Sequence, residues 1–151
     1  MNYAPSTRNR IADLIAGIRV DRATAAMTDA SIFTITGGNI LLTLLLGEVT
    51  TILENIANNT KLTATPTVGT AVDICANLDT ANIEVGGFLY ITGTLANALA
   101  KSNAGASALQ VTPIVVAPGV IAIDVAAAKS GSVKWSLWYV PLETGAYVTA
   151  A

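Results

Sequence analysis

Seven residues, Ile40-Leu41-Leu42-Thr43-Leu44-Leu45-Leu46, limit what this chain can become more than any other part of it. All but Thr43 are aliphatic, and glycines bracket the run, Gly37-Gly38 before it and Gly47 after it. A membrane-spanning helix needs about 20 mostly apolar residues, so the run is too short to span. Its surroundings, Ser31 to Thr51, are rich in Ile, Leu, Val and Thr, which reads as strand. Side chains on a strand alternate between two faces, so Ile40, Leu42, Leu44 and Leu46 are expected on one side and Leu41, Thr43 and Leu45 on the other. Both faces are then apolar, and both need cover. One cover is the protein's own core. The second is expected to be a neighbouring subunit, with burial inside a two-sheet core as the alternative, which makes Leu41 and Leu45 candidate subunit-interface residues.

Composition points the same way. Hydrophobic residues make up 52% of the 151 and charged residues only 12%, about half the usual share of roughly 25%. A surface so poor in charge needs company to stay soluble, most simply copies of itself. The length suits one domain, large enough to bury a core without metals or disulfides.

Charge is unevenly placed. Arg8, Arg10, Arg19 and Arg22 stand against Asp13 and Asp21 in residues 1–22, a net +2, while residues 23–151 carry four lysines and eight acids, a net −4. Arginine suits carboxylate and phosphate contacts, so residues 1–22 read as an N-terminal docking arm and the four arginines as its candidate contacts. Within it, residues 6–22 carry Ile11, Leu14, Ile15 and Ile18 at helical spacing, and Ser6 or Thr7 can cap the start. The spacing predicts a short helix there, followed by a linker-like stretch, residues 23–31.

The remainder predicts a mainly β domain over residues 23–151, an antiparallel sandwich, jelly roll or barrel. Strands are expected near 31–36, 39–54 (with a bend at Gly47), 60–65, 70–76, 84–95, 109–116, 120–126, 132–140 and 146–149. Gly37-Gly38-Asn39, Ala117-Pro118-Gly119 and Lys129-Ser130-Gly131 read as turns, the first two as hairpins. Residues 96–108 read as an exposed loop, with a short helix over 95–100 as the alternative. In the segment Ser132–Pro141, Val133, Trp135, Leu137 and Tyr139 are expected to face the core. Trp138 falls on the other, wetter face, as an interface candidate.

Reactive chemistry is sparse. The chain has no histidine and a single cysteine, which removes Ser-His and Cys-His pairs, histidine metal ligands and thiolate clusters. No catalytic residue, cofactor or metal is expected. Cys75, between Ile74 and Ala76, reads as a buried inert thiol. The glycine pairs Gly37-Gly38 and Gly86-Gly87 lack phosphate-loop spacing. Asp73, Asp79, Glu84 and Asp124 are the carboxylates of the β body from which a hydrolytic pair would have to come. Asn77 to Asn82 places oxygen ligands at alternate positions, though a turn is the simpler reading. Asn58-Asn59-Thr60 matches a glycosylation sequon. The acidic body with scattered lysines argues against nucleic-acid binding.

Three stretches, "FTITGGNILLTLLLGEVTTIL", "NTKLTATPTVGTAVDICANLDTANIEVGGFLYITGTL" and "PGVIAIDVAAAKSGSVKWSLWYVPLETGAYV", resemble small head-structural proteins of tailed bacteriophages and prophages. The likeness is carried by Thr36-Gly37-Gly38, Gly47 to Thr51, Pro66 to Thr70, Ile91-Thr92-Gly93 and Lys134 through Leu142, and covers about residues 31–149. It implies a virion structural protein of the capsid decoration, or cement, type: a compact β domain that trimerises on the outer capsid surface and binds the major capsid protein lattice. A tail- or fibre-associated β protein is the alternative within the virion. Outside it stands a carbohydrate-binding module using Trp138, Tyr90 and Tyr147.

Overall fold

The computed structural model describes residues 17–151. Thirteen strands follow in order: β1 Ile18–Asp21, β2 Ala25–Met27, β3 Ala30–Thr36, β4 Ile40–Thr51, β5 Asn59–Pro66, β6 Val72–Asp73, β7 Leu78–Asp79, β8 Phe88–Tyr90, β9 Ala100–Ser102, β10 Ile114–Val116, β11 Gly119–Val125, β12 Lys129–Pro141 and β13 Tyr147–Ala150. They form two antiparallel sheets packed face to face. The first has the order β1-β12-β4-β8-β9, with β10 also on β4 and β2 also on β12; the second has β13-β3-β11-β5-β6, with β7 also on β5.

Eight of these strands follow one rule. Numbered 1 to 8 in chain order, β1, β3, β4, β5, β6, β8, β11 and β12 pair first with last, second with seventh, third with sixth and fourth with fifth. That is one long hairpin rolled into two sheets, the strand order of a jelly roll. It explains why the two apparent hairpin signals are not hairpins. Gly37-Gly38-Asn39 leads from β3 in one sheet to β4 in the other, and Ala117-Pro118-Gly119 leads from β10 to β11, again between sheets. Turn residues report that the chain reverses, not which sheet it returns to. At Gly37 (φ +83°) a side chain would also meet the Gly145 carbonyl. Lys129-Ser130-Gly131 is no turn but the start of β12, where the register shifts against β2.

The chain joins the sandwich earlier than its charge pattern suggests. Residues 18–21 are not helical: they form an edge strand on β12, Ile18 opposite Tyr139 and Asp21 opposite Ser136. Gly17 permits this with φ +86°, where a Cβ would lie 2.9 Å from the Tyr139 carbonyl oxygen. The supposed linker contains β2, and Met27 is in the core. An arm ending at Arg22 is therefore corrected; the rest of the expected helix, residues 6–16, lies outside the described residues. The expected loop at 96–108 likewise contributes β9, paired with β8.

The core lies between the sheets, with Trp135, Phe33, Ile32, Leu42, Leu45, Leu62, Leu89 and Leu137 among its fully buried members. Val133, Trp135, Leu137 and Tyr139 all point inward as alternation requires. Gly47 bends nothing: β4 runs through it without a break, opposite Trp135, and a Cβ there would lie 2.9 Å from the indole ring. The glycine leaves the space that the ring occupies.

Alternation fails at two residues of β4, at Thr50 near its end, between Val49 opposite Val133 and Thr51 opposite Ser132, and, with larger effect, in the leucine run. Tyr139 pairs with Leu42 and Trp138 with Leu44, so Thr43 is an extra residue, a β-bulge. Its hydroxyl donates to the Trp138 carbonyl at 3.0 Å, and the Gln110 amide donates to the Leu42 carbonyl at 3.1 Å. Past the bulge the phase of the strand is inverted. Ile40 and Leu42 point into the core, but so do Leu45, Gly47 and Val49, leaving Leu41, Leu44 and Leu46 on the outer face. Leu45, expected at a subunit interface, is 0% exposed inside its own protomer. That expectation is corrected, because one inserted residue moves every later side chain to the opposite face.

Candidate functional site

Residues directly opposite in an antiparallel pair share a face, so the register defines what the first sheet presents outward. Val115 of β10 faces Leu41, which faces Val140. In the next rows Leu44 faces Trp138, and Leu46 lies between Ser136 and Tyr90. Val115 is 64% exposed, and Leu41, Leu44, Leu46, Trp138, Val140 and Tyr90 are all partly exposed. The expected interface residues Leu41 and Trp138 thus lie on one apolar surface, with Leu44, Leu46, Val140 and Val115 added. Strict alternation hid Leu44 and Leu46 in the core; only the Thr43 bulge brings them out.

One margin of this surface is polar. The Arg19 guanidinium lies 5.0 Å from the centroid of the Trp138 ring, within cation–π range. Arg19 Nε donates to Asp21 Oδ1 at 2.8 Å, and the Ser136 hydroxyl donates to the same oxygen at 2.6 Å. The Ser136 hydrogen bond holds the Asp21 carboxyl below its usual pKa against partial burial, with Arg19 adding to the effect. Beyond Leu46, Glu48 and Lys134 sit opposite each other. An apolar centre with a polar rim is the usual anatomy of an interface.

Of the four arginines expected to dock, Arg8 and Arg10 lie outside the described residues. Arg19 is committed to Trp138 and Asp21. Arg22 donates through Nε to the Ala151 backbone oxygen at 3.1 Å, and its amide donates to the Trp135 carbonyl at 2.9 Å. Both belong to the sandwich, not to an arm, and their placement there is a correction. The three aromatics of the carbohydrate reading are also divided: Trp138 and Tyr90 share the outer face, while Tyr147 is on β13 in the other sheet.

Next to the apolar surface, where β10 and β6 form facing free edges, the sandwich opens into a groove of about 450 Å³. Ala64, Val72, Ile74, Leu95, Ile114 and Val115 are among its walls, and no charged residue lines it.

The opposite end of the fold holds a buried polar cluster. Lys129 extends its ammonium to the carbonyls of Thr80 (2.9 Å), Ile56 (3.2 Å) and Glu54 (3.4 Å), and burial pushes its pKa below the ordinary lysine value. Asn58 is buried, with its amide clamped onto the backbone of Ala127 by bonds of 2.7 and 3.1 Å, so the sequon asparagine serves the fold. Asp79 accepts from the amides of Asn58 and Ala81 at 2.9 and 3.0 Å, and these bonds lower its pKa; of the expected turn at 77–82, Leu78–Asp79 is strand β7 and only the residues after it turn. Asp73 and Asp124 both approach Lys61, at 2.9 and 3.8 Å, and Glu84 accepts from the Ala104 amide. Each of the four carboxylates considered for hydrolysis therefore has a structural partner. Among the described residues no cluster of three or more His, Cys, Asp or Glu is placed to hold a metal ion.

Cys75 is buried in the core, its sulfur accepting from the Leu62 amide at 3.3 Å, and burial pushes its pKa up to about 11. The thiol should stay unmodified by a maleimide in native buffer at pH 8 and react at once in denaturant, as intact-mass measurements would show. An unfolded thiol ionises near 9, two units lower, so the unfolded chain loses its proton first as pH rises. Stability should fall by about 2 kcal/mol between pH 9 and 11 through this group, and Cys75→Ala should flatten that decline in urea titrations.

Compared with protein-family models, curated proteins and solved structures, the chain finds no match.

Proposed function

We propose that this protein is a virion structural protein of the capsid decoration type, a homo-oligomer, preferentially a trimer, that covers the outer face of its first sheet with sister subunits and binds the lattice of a phage head. The observation that carries the oligomeric part is the apolar surface Val115–Leu41–Val140, Leu44–Trp138 and Leu46, rimmed by Arg19, Asp21 and Ser136. Low total charge and the resemblance over residues 31–149 support the rest. The jelly-roll strand order fits such a role without selecting it, since one fold hosts many functions. Attachment to the shell is assigned to Arg8 and Arg10, the two of the four arginines that lie outside the described residues, acting together in every copy so that weak contacts add through avidity.

Light scattering coupled to size exclusion, at low micromolar concentration, is expected to give the mass of a trimer. Leu44→Asp, which adds a charge on the outer face and leaves the core intact, is expected to give a folded monomer. Arg8→Glu with Arg10→Glu is expected to remain trimeric but no longer co-sediment with undecorated heads. A wild-type protein that is a well-behaved monomer at these concentrations would overturn the reading.

A further inference from the structure

We propose that the groove between β10 and β6 receives Ile11, Leu14 and Ile15 of a second copy of this chain. This rests on the oligomeric reading above and assigns the contact that links one copy to the next.

The argument begins with the groove. Its walls are apolar, and two of them stand well out of the protein, Val72 at 50% and Val115 at 64% exposed. A cleft of this size and lining is suited to a few aliphatic side chains. Val115 also belongs to the outer apolar surface, so whatever fills the groove continues that surface. The same chain offers an apolar cluster of the right scale outside the described residues: Ile11, Leu14 and Ile15 fall within five positions, with the charge of Asp13 between them. Three aliphatic anchors spaced i, i+3, i+4 are the usual currency of a segment laid in an apolar groove.

Reach decides between the chain's own groove and another's. The segment enters the sandwich at Gly17, on the β1 edge, held against Tyr139. The groove lies beyond β12 and β4, at β10, three strand spacings away, or about 14 Å. Ile15 is two residues from Gly17 and Leu14 three, which even fully extended span only about 7 and 10 Å. Both fall short of their own β10; Ile11, six residues away, could span about 20 Å, but without Leu14 and Ile15 beside it. A neighbouring copy has no such limit. Because segment and groove are different surfaces, the contact is head-to-tail, the kind that closes into a ring when the rotation permits.

The test uses the full-length chain with Cys75→Ala, carrying Leu14→Cys and Val115→Cys together or singly, treated with a short bismaleimide at low micromolar concentration. The expected result is an interchain ladder on denaturing gels for the pair, reaching the oligomer mass, and little above monomer for either single variant. The same samples are sized by light scattering. An intact oligomer with no interchain product beyond the singles, or with only an intrachain product, overturns this inference and leaves the oligomeric reading standing. A monomeric wild type overturns both.

Discussion

Leu45→Ala should destabilise the protein by about 2–5 kcal/mol, the range for truncating a fully buried leucine, whereas Leu44→Ala, one residue away in an unbroken leucine run, should cost the protomer less than about 1 kcal/mol. The difference comes entirely from the bulge at Thr43. Leu45 is opposite Leu137, both wholly buried between the sheets; Leu44 is opposite Trp138 on the outer face. Urea unfolding monitored by tryptophan fluorescence would measure both. Because Leu44 is also assigned to a subunit contact, its residual effect should grow with protein concentration, as mass action requires, and that of Leu45 should not. Equal losses, or the larger loss at Leu44, would mean that β4 alternates without interruption and that the outer surface described above does not exist.

The second large effect is expected at Lys129. Its ammonium is the shared partner of three backbone carbonyls in the loops that close one end of the sandwich. Lys129→Met keeps most of the apolar stem and removes the donors, so it isolates the hydrogen bonds from the packing. Hydrogen bonds to charged groups contribute about 1.5–3 kcal/mol, and a buried acceptor left unpaired costs about 1–3 kcal/mol. Some of this is offset because burying the charge was itself unfavourable, as the lowered pKa of Lys129 indicates. A net loss of about 3 kcal/mol is expected, visible as a drop in the urea midpoint. It should also appear as faster amide exchange around Asn58 and Thr80, whose bonds lie in the same cluster. A neutral Lys129→Met would show that water replaces the ammonium at no cost.

Much of the fold could be read before any coordinates, and the misses share a cause. The long strands from Ser31 onward were legible because alternation and turn residues are local signals, whereas the strands expected at 70–76, 84–95 and 109–116 shrink to β6, β8 and β10 and β7 went unread; Val133, Trp135, Leu137 and Tyr139 show the inward pattern they announced. β1 was lost because Ile18 completes an apolar spacing that suits a helix, and nothing local says that β12 has an open edge waiting for it. β2 and β9 were lost for the same reason: three-residue strands of Ala, Met, Lys and Ser carry almost no propensity, and their pairing partners make them strands. On the outer face, Trp138 and Leu41 were legible by alternation; Leu44 and Leu46 were not, and Leu45 was placed there wrongly.

By itself the sequence determined that this is a mainly β protein, rich in apolar residues and poor in charge. Composition and period-two patterning act through each residue's own chemistry, and need no neighbour to be read. The tertiary structure alone decided which leucines face outward, which sheet each turn leads to, and that Arg19 and Arg22 belong to the sandwich. Those outcomes depend on pairing and register, which are settled by residues far apart in the chain; for the leucines of β4 the deciding step is Thr43, which slips the ladder against β12.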